Sequence, residues 1–402
     1  MGIFDGIRIL EFSPFISGSY CAKLFGDLGA EVIKIEEPRG GDWTRREGPF
    51  PGDVPNEEAS GLFLNLNTNK LGITLDPATP EGRAIFLRLA QSADVLIDGQ
   101  APGTLTAMGL DYATLSAANP RLIVAAVSPF GQTGPYRDYT AYHLNLFHAG
   151  GEGFVMPGGY ANDLHPDREP VAGPAHLAEC DGGVIAASPI AAALLWREMT
   201  GEGQLVDVSV HEGLLLLSGV EIERYADDGV LDTRATRNVP GGVIPAKDGY
   251  VVLDGRADDM WNAMVGVMGN PEWAQAPEFQ DRMWRTRNYQ VLREGLSDWA
   301  STRSAEEIFH ETQRAGIATA ACYTAEDFFR SAQTEARGFL VEIAHPVAGT
   351  FRYPSWPYQF AGITKPDYRP APTLGQHTAS VLASIGYGEG DLAALRAAGA
   401  IA

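Results

Sequence analysis

Cysteine is scarce: Cys21, Cys180 and Cys322 are the only three in 402 residues. An odd number of distant cysteines implies no disulfide framework. With no CxxC pair, and no HExxH among the eight histidines, metal-ligand spacing is absent as well. Basic residues are also few, 30 against 51 acidic ones, for a net charge of −21. That balance argues against nucleic acid or an anionic membrane as the general partner, and a small anionic ligand would need a local basic pocket. Long apolar runs are missing too; the longest weakly polar stretch, Val184–Trp196, is too short to span a bilayer. The first residues, MGIFDGIRILEF, lack the basic segment and apolar run of a signal peptide, so a reducing cytoplasm is the expected compartment. Neither GxGxxG after the first strand nor GxxxxGK[ST] anywhere occurs, which leaves a nicotinamide or nucleoside-triphosphate site without a motif.

What is present is the composition of a soluble globular protein, 45% hydrophobic and 20% charged. The length exceeds one ordinary core, so two domains are expected. Ile7–Leu10 reads as a buried strand, Tyr20–Leu28 as a helix ended by Gly29, and Glu31–Ile35 as a second strand. Strand, helix, strand at this spacing is a βαβ unit and predicts a parallel sheet. Ile73–Leu75, the helix Glu81–Ser92 and Val95–Ile97 repeat the pattern. Leu122–Val127 adds a strand that ends in the loop SPFGQTGPY, Ser128–Tyr136, and Val206–Val210 adds another. Loops at the carboxyl ends of parallel strands are where such sheets place ligands. Glu221–Val239 is charged and turn-rich, as a crossing between domains would be. The large domain is expected over residues 1–220, completed by 336–402, with a smaller one over 221–335.

Two carboxylates, Glu179 and Asp181, flank Cys180 just before Gly182-Gly183 and an almost uncharged helix. Acids at the start of a buried helix are costly unless hydrogen-bonded or used. Asp181 has the position of an N-cap. Cys180 has no neighbouring base in sequence and reads as a small packing residue.

These pieces together resemble the class III coenzyme A transferases, a superfamily that includes the α-methylacyl-CoA racemases. The resemblance rests on Gly6–Arg46 (GIRILEFSPFISGSYCAKLFGDLGAEVIKIEEPRGGDWTRR), Leu64–Asp76, Ala93–Tyr112, Asn119–Tyr136 and TGEGQLVDVS, Thr200–Ser209. It extends to EARGF, Glu335–Phe339, and TLGQHT, Thr373–Thr378. It implies an α/β fold, with a Rossmann-like large domain carrying the parallel sheet and a smaller α+β domain. It also implies ring-shaped protomers interlocked as a homodimer, heteromers being known in the family as well. Coenzyme A is implied as co-substrate, with an acyl-CoA and a small carboxylic acid as partners and no metal. In the transferases an aspartate attacks the acyl-CoA thioester to give a mixed anhydride, and CoA thiolate then converts it to an enzyme thioester; splitting one hard exchange into easier ones is the gain.

Carried onto this chain, the family aspartate falls on Glu179, in Leu177-Ala178-Glu179 before Gly182-Gly183, and not on Asp181. The glycines would let backbone N–H groups approach the oxyanion. The extra methylene moves the carboxylate about 1.5 Å outward. Arg39, Arg45 and Lys70 take the phosphate-binding positions, with Ile16, Ser17, Gly99 and Gly131 at the CoA site and Gly103 and Leu105 on the adenine side. Leu71, and Gly99-Gln100-Ala101, stand where the family usually has further basic and aromatic residues. Gly241-Gly242 matches a mobile glycine-rich lid, or a simple hairpin turn. The racemases' histidine and aspartate positions read Tyr142 and His143, which argues against plain racemase chemistry and leaves His143 as the one displaced base. Trp43, Phe147, Phe154, Met156 and Tyr160 are candidates for an apolar acyl pocket, or for core. Three activities stay open at this point: CoA transfer through Glu179, an isomerase using Glu179 and His143, and a non-catalytic subunit.

Overall fold

The computed structural model describes residues 2–235, 241–254, 257–365 and 367–402. The larger of two compact units comprises Met1–Gly150, Gly173–Leu217 and Glu335–Ala402. Its centre is a six-stranded, all-parallel sheet in the order β3-β2-β1-β4-β5-β6. Strand β1 (Arg8–Phe12) is buried almost throughout, which its apolar RILEF sequence dictates, and helix α1 (Ile16–Asp27) returns the chain to β2 (Glu31–Glu36). Strand β3 spans Lys70–Thr74, three residues earlier than its apolar pattern predicts, because the Lys70 ammonium is ion-paired inside the sheet with Glu11 at 2.7 Å. Helix α2 (Pro80–Gln91) is capped by Thr79, which accepts from the Gly82 N–H, and leads to β4 (Val95–Asp98); β5 is Ile123–Ser128. Leu10, Ile33, Ile73, Leu96 and Val124 carry the core from strand to strand beneath Ile85, Phe86 and Leu89 of α2. The chain reverses direction across the sheet between β1 and β4, the switch point where open α/β sheets leave a crevice.

Helix α3 (His143–Ala149) precedes the 24-residue α4 (Leu177–Thr200), which feeds β6 (Leu205–Ser209) and α5 (Val210–Leu217). By length and composition α4 could cross a membrane, contrary to the sequence expectation. It lies instead against α1, with Glu179 and Arg197 buried on its length. The expected helix start after Asp181 is also corrected: α4 begins at Leu177, so Asp181 is its fifth residue and His176 holds the N-cap position. Glycines normally weaken a helix, which is why the sequence reads them as a boundary. Here they are a contact surface. A Cβ on Gly182 would lie 2.7 Å from Ser17 Oγ, and one on Gly183 would lie 2.8 Å from the Ser17 carbonyl oxygen and 3.0 Å from Tyr20. Both glycines are inside the helical ladder, so their N–H groups are not available as an oxyanion hole.

The second unit comprises Gly151–Ala172 and Ser218–Thr334. The stretch read as turn-rich opens with helix α6 (Gly219–Asp228); residues 236–239 of it lie outside the described ones. Strands β7 (Gly241–Pro245), β8 (Tyr250–Asp254) and β9 (Thr319–Ala321) form an antiparallel sheet in that order. Gly241 and Gly242 pair with Asp254 and Leu253, so they open a strand and are not a glycine-rich lid. Trp261, Phe279, Leu292, Leu296 and Ile308 form this unit's own core.

Because the α1–α4 spacing is set by atoms that cannot yield, Gly183→Ala is expected to destabilise the chain. Alanine's helix preference is worth about 1 kcal/mol, while overpacking costs about 1–3 kcal/mol. A lowered urea midpoint in circular dichroism is the expected outcome; a raised one would show that the glycines do not set the spacing.

Candidate active site

Three hollows follow one another along the carboxyl ends of the strands in the larger unit. The first, of about 380 Å³, lies over β1, β2 and β3 and is lined by Pro14, Glu37, Asp42, Trp43, Arg46 and Gln100 among others. The second, also about 380 Å³, shares Pro14, Trp43 and Gln100 with it and adds Gly99, Arg137 and Tyr142. The third, about 400 Å³, is bounded by Trp43, Tyr142, His143, Leu144, Ala175, His176 and Glu179. Trp43 walls all three, and its indole N–H is fixed by donating to the Pro14 carbonyl.

Glu179 is 1% exposed, yet it borders the third hollow. Its place follows from α4. The helix puts Glu179 in the first turn, and the Ser17 hydroxyl of α1 donates to the Glu179 main-chain carbonyl at 2.7 Å. The two carboxylate oxygens differ. Oε2 is 2.7 Å from His176 Nδ1, whereas Oε1 is buried with no hydrogen-bond partner. Burial pushes the Glu179 carboxyl above its ordinary range, and the bond and charge of His176, then the charge and main-chain N–H of His143, offset part of that rise. A carboxylate kept dry, with one oxygen unsatisfied, is poised to react or to take a proton. Asp181, two residues on, lines none of these three hollows. Burial, then Glu179 and Asp181, push the Cys180 thiol up to about 12, which disfavours its thiolate.

His143 is positioned for a different task from proton transfer. Its Nδ1 takes the Ala178 N–H at 3.2 Å, and its Nε2 lies 3.1 Å from the Gly173 carbonyl. A main-chain N–H can only donate, so Nδ1 is the lone-pair nitrogen and the ring proton sits on Nε2, facing Gly173. Both nitrogens are engaged, and the ring caps α4 from outside that helix. This corrects His143 as an acid–base residue.

The basic residues divide sharply. Arg45 and Lys70 are each 1% exposed. The Arg45 guanidinium is bonded to Glu36, Glu58 and the Pro372 carbonyl, and lies over the Phe63 ring at 3.7 Å. Lys70 is bonded to Glu11, the Ser19 carbonyl and Asn67. Lys34 joins Glu11 to Asp42, both at 2.7 Å. Burial would raise the Glu11 carboxyl, but Lys34 and Lys70 outweigh it and hold it down to about 2. Arg45 and Lys70 therefore neutralise carboxylates beneath the cleft and cannot touch a phosphate, a correction to their expected role. Arg39 is exposed and lines none of the three hollows, although Glu37 and Gly41, two residues to either side, line the first; Arg46 and Arg137 are on the walls.

The other sequence candidates are placed as follows. Ile16 and Ser17 open α1 with buried side chains, so they can meet a ligand through the main chain alone. Gly99 lines the second hollow, and a Cβ there would sit 1.8 Å from Ser13 Oγ. Gly103, at φ +88°, approaches the Arg137 guanidinium; Leu105 is buried in the core cluster and lines none of the three hollows. Gly131 takes φ +83° in the loop after β5. Of the apolar candidates, Trp43 borders the cavities, Phe147 is buried on α3, Phe154 and Met156 belong to the second unit, and the Tyr160 side chain is outside the description. Arg137 and His176 were missed as site residues. Arg137's signal was its place just beyond the glycine-rich loop; His176's was the i,i+3 spacing to Glu179.

Since neither His143 nitrogen has a free proton or lone pair to exchange, an acyl-CoA incubated with the enzyme in D2O is expected to gain no α-deuterium above the buffer background. His143→Leu is expected to cost about 1 kcal/mol of stability through loss of the helix cap. Mass spectrometry of the recovered thioester and a urea melt check the two halves.

Three comparisons bear on this geometry. Residues 4–378 match the description "CoA-transferase family III". The chain is 32% identical to the succinyl-CoA–D-citramalate CoA-transferase of Chloroflexus aurantiacus, over 98% of this chain and 96% of that one. It is 31% identical to the BbsE subunit of the succinyl-CoA:(R)-benzylsuccinate CoA-transferase of Thauera aromatica, over 96% and 94% of the two chains. A crystal structure of a CaiB/BaiF family protein from Brucella suis superposes with a TM-score of 0.83 at 27% identity, covering 96% of this chain and 99% of that one.

Proposed function

The chain belongs to CoA-transferase family III, an enzyme class that moves coenzyme A between acyl-CoA thioesters and carboxylic acids, and from that premise we propose that Glu179 carries the exchange. A Glu179 oxygen attacks the thioester carbonyl carbon, the C–S bond breaks, and CoA leaves as thiolate. The thiolate then attacks the glutamyl carbon of the anhydride, releases the first acid and leaves CoA on Glu179. The acceptor carboxylate attacks that thioester and forms a second anhydride. Thiolate attack on the acceptor's acyl carbon frees Glu179 and the new acyl-CoA. The anhydrides are the more activated acyl bonds, from which a carboxylate leaves readily, so one hard exchange becomes several easier ones.

The observation that carries this reading is the unpartnered, buried Oε1 of Glu179 at a hollow that shares walls with the cleft over the sheet. It favours a catalytic chain over a subunit without a nucleophile. Arg39, Arg46 and Arg137 are the cations placed to meet CoA phosphates along that route. The relatives' names make succinyl-CoA the first donor to try. Incubation with succinyl-CoA is expected to put acyl and CoA adducts on the Glu179 peptide, trapped by hydroxylamine and read by mass spectrometry. Glu179→Gln is expected to abolish the adduct and lower turnover by at least about 1,000-fold, on the scale of lost covalent catalysis. Because the reactive form is ionised and its pKa is raised, activity is expected to fall with acidity at a pH above the usual carboxylate range. An adduct surviving in Glu179→Gln and lost in Asp181→Asn would move the nucleophile to Asp181.

We further propose an interlocked homodimer in the cytoplasm. Leu195, Trp196 and Met199 on α4 and Leu216 and Leu217 on α5 are exposed, more apolar surface than a monomer ordinarily leaves in water. Sedimentation at twice the chain mass is the expected result; a monomer at micromolar concentration would contradict it.

A further inference from the structure

The two oxygens of Glu179 are held so differently that the structure indicates which one reacts. His176 stands three residues before Glu179, one helical turn away on the same face. Its Nδ1 is 2.7 Å from Oε2, and its side chain is 35% exposed where that of Glu179 is 2% exposed. The bond thus joins a buried carboxylate to a ring that reaches into the hollow. Oε1 is left buried and unpartnered beside it.

We propose that His176 is the positioning residue of this enzyme: its Nδ1–H holds Glu179 Oε2 and turns Oε1 toward the thioester carbonyl carbon. The inference rests on Glu179 being the acyl carrier. A glutamate has one more rotatable bond than an aspartate, and an untethered carboxylate would divide its time among rotamers. One hydrogen bond to the residue at the N-cap of its helix removes that freedom where the extra methylene introduces it. The donor acts again when Glu179 leaves. In the anhydride, Oε1 is bonded to the acyl carbon and Oε2 is the glutamyl carbonyl oxygen; the Nδ1–H polarises that carbonyl for attack by thiolate and meets the negative charge that gathers on it. His176 keeps its proton throughout, and only the Oε1–C and C–S bonds form and break.

The groups facing Glu179 are few. Cys180 comes from its own helix, His176 from the N-cap of that helix, and the His143 ring and main-chain N–H from α3, the N–H helping to hold the carboxyl ionised; the Ser17 hydroxyl of α1 is committed to the Glu179 main-chain carbonyl. Both ring nitrogens of His143 are engaged elsewhere. Among the described residues, His176 is the one side chain that bonds the carboxylate.

Two substitutions separate positioning from bulk. In His176→Asn the side-chain amide nitrogen takes nearly the place of Nδ1 and can donate; in His176→Phe the ring's volume remains without a donor. Each purified full-length variant is assayed with succinyl-CoA and a panel of carboxylic acid acceptors, with single-turnover adduct formation followed by mass spectrometry. His176→Phe is expected to lower kcat and the rate of adduct formation about 10–100-fold, the scale of an ångström of misplacement, with KM changed less than about threefold. Its acid limb is expected to move to higher pH, because the bond that stabilised the ionised form is gone. His176→Asn is expected to keep kcat within about fivefold of the unaltered enzyme. Unaltered kcat in His176→Phe would overturn the proposal, as would an Asn variant as slow as the Phe variant. If adduct still forms in Glu179→Gln, the assignment of the carrier itself has failed, and that result is distinct from the other two.

Discussion

The contact of Gly182 and Gly183 with the first turns of α1 is what the site depends on. Two helices approach this closely only where side chains are absent, and here the missing Cβ atoms leave room for the Ser17 main chain, Ser17 Oγ and the Tyr20 ring. That approach lets the Ser17 hydroxyl reach the Glu179 carbonyl and sinks the Glu179 side chain below the surface of the hollow. Burial then does the chemistry's preparatory work. It keeps water off the carboxylate, and an anhydride formed there would be shielded from hydrolysis. The same helix start is closed from α3 by His143, so α1, α3 and α4 are tied to one another at the carboxylate.

A second constraint lies under the cleft. Glu11, Glu36 and Asp42 face Lys34, Arg45 and Lys70 in a buried set of three negative and three positive charges. Removing one member of such a set strands a charge and costs about 3–5 kcal/mol. The network joins β1, β2 and β3 to the segment carrying Asp42 and Trp43, and so fixes the wall common to all three hollows. This acidic protein thus neutralises carboxylates of its own beneath the cleft.

The parallel strands were legible because their apolar runs and βαβ spacing have one cheap solution, and the assembled motifs named the family. What sequence left hidden is long-range pairing. Lys70 reads as a phosphate-binding residue until Glu11, far away in the chain, is seen beside it; the same holds for Arg45 and Glu36. Gly182 and Gly183 read as a helix boundary, since a local rule knows nothing of the helix packed against them. Register ranks Glu179 above Asp181, but the geometry of Glu179 was not accessible: the separate fates of Oε1 and Oε2 exist only once α4 is wound.

Trp43 has a consequence for how the enzyme can diverge. One indole, pinned by the Pro14 carbonyl, is at once the floor of the outer cleft, the partition beside Arg137 and a wall facing Glu179. Residues that touch a single compartment, such as Leu144 or Arg46, can drift one at a time as selection tunes the acyl group or the grip on the nucleotide end. Position 43 has no such liberty: a smaller side chain would enlarge three chambers together, and a larger one would crowd all three. A single substitution there would thus reshape every compartment that Trp43 borders at once.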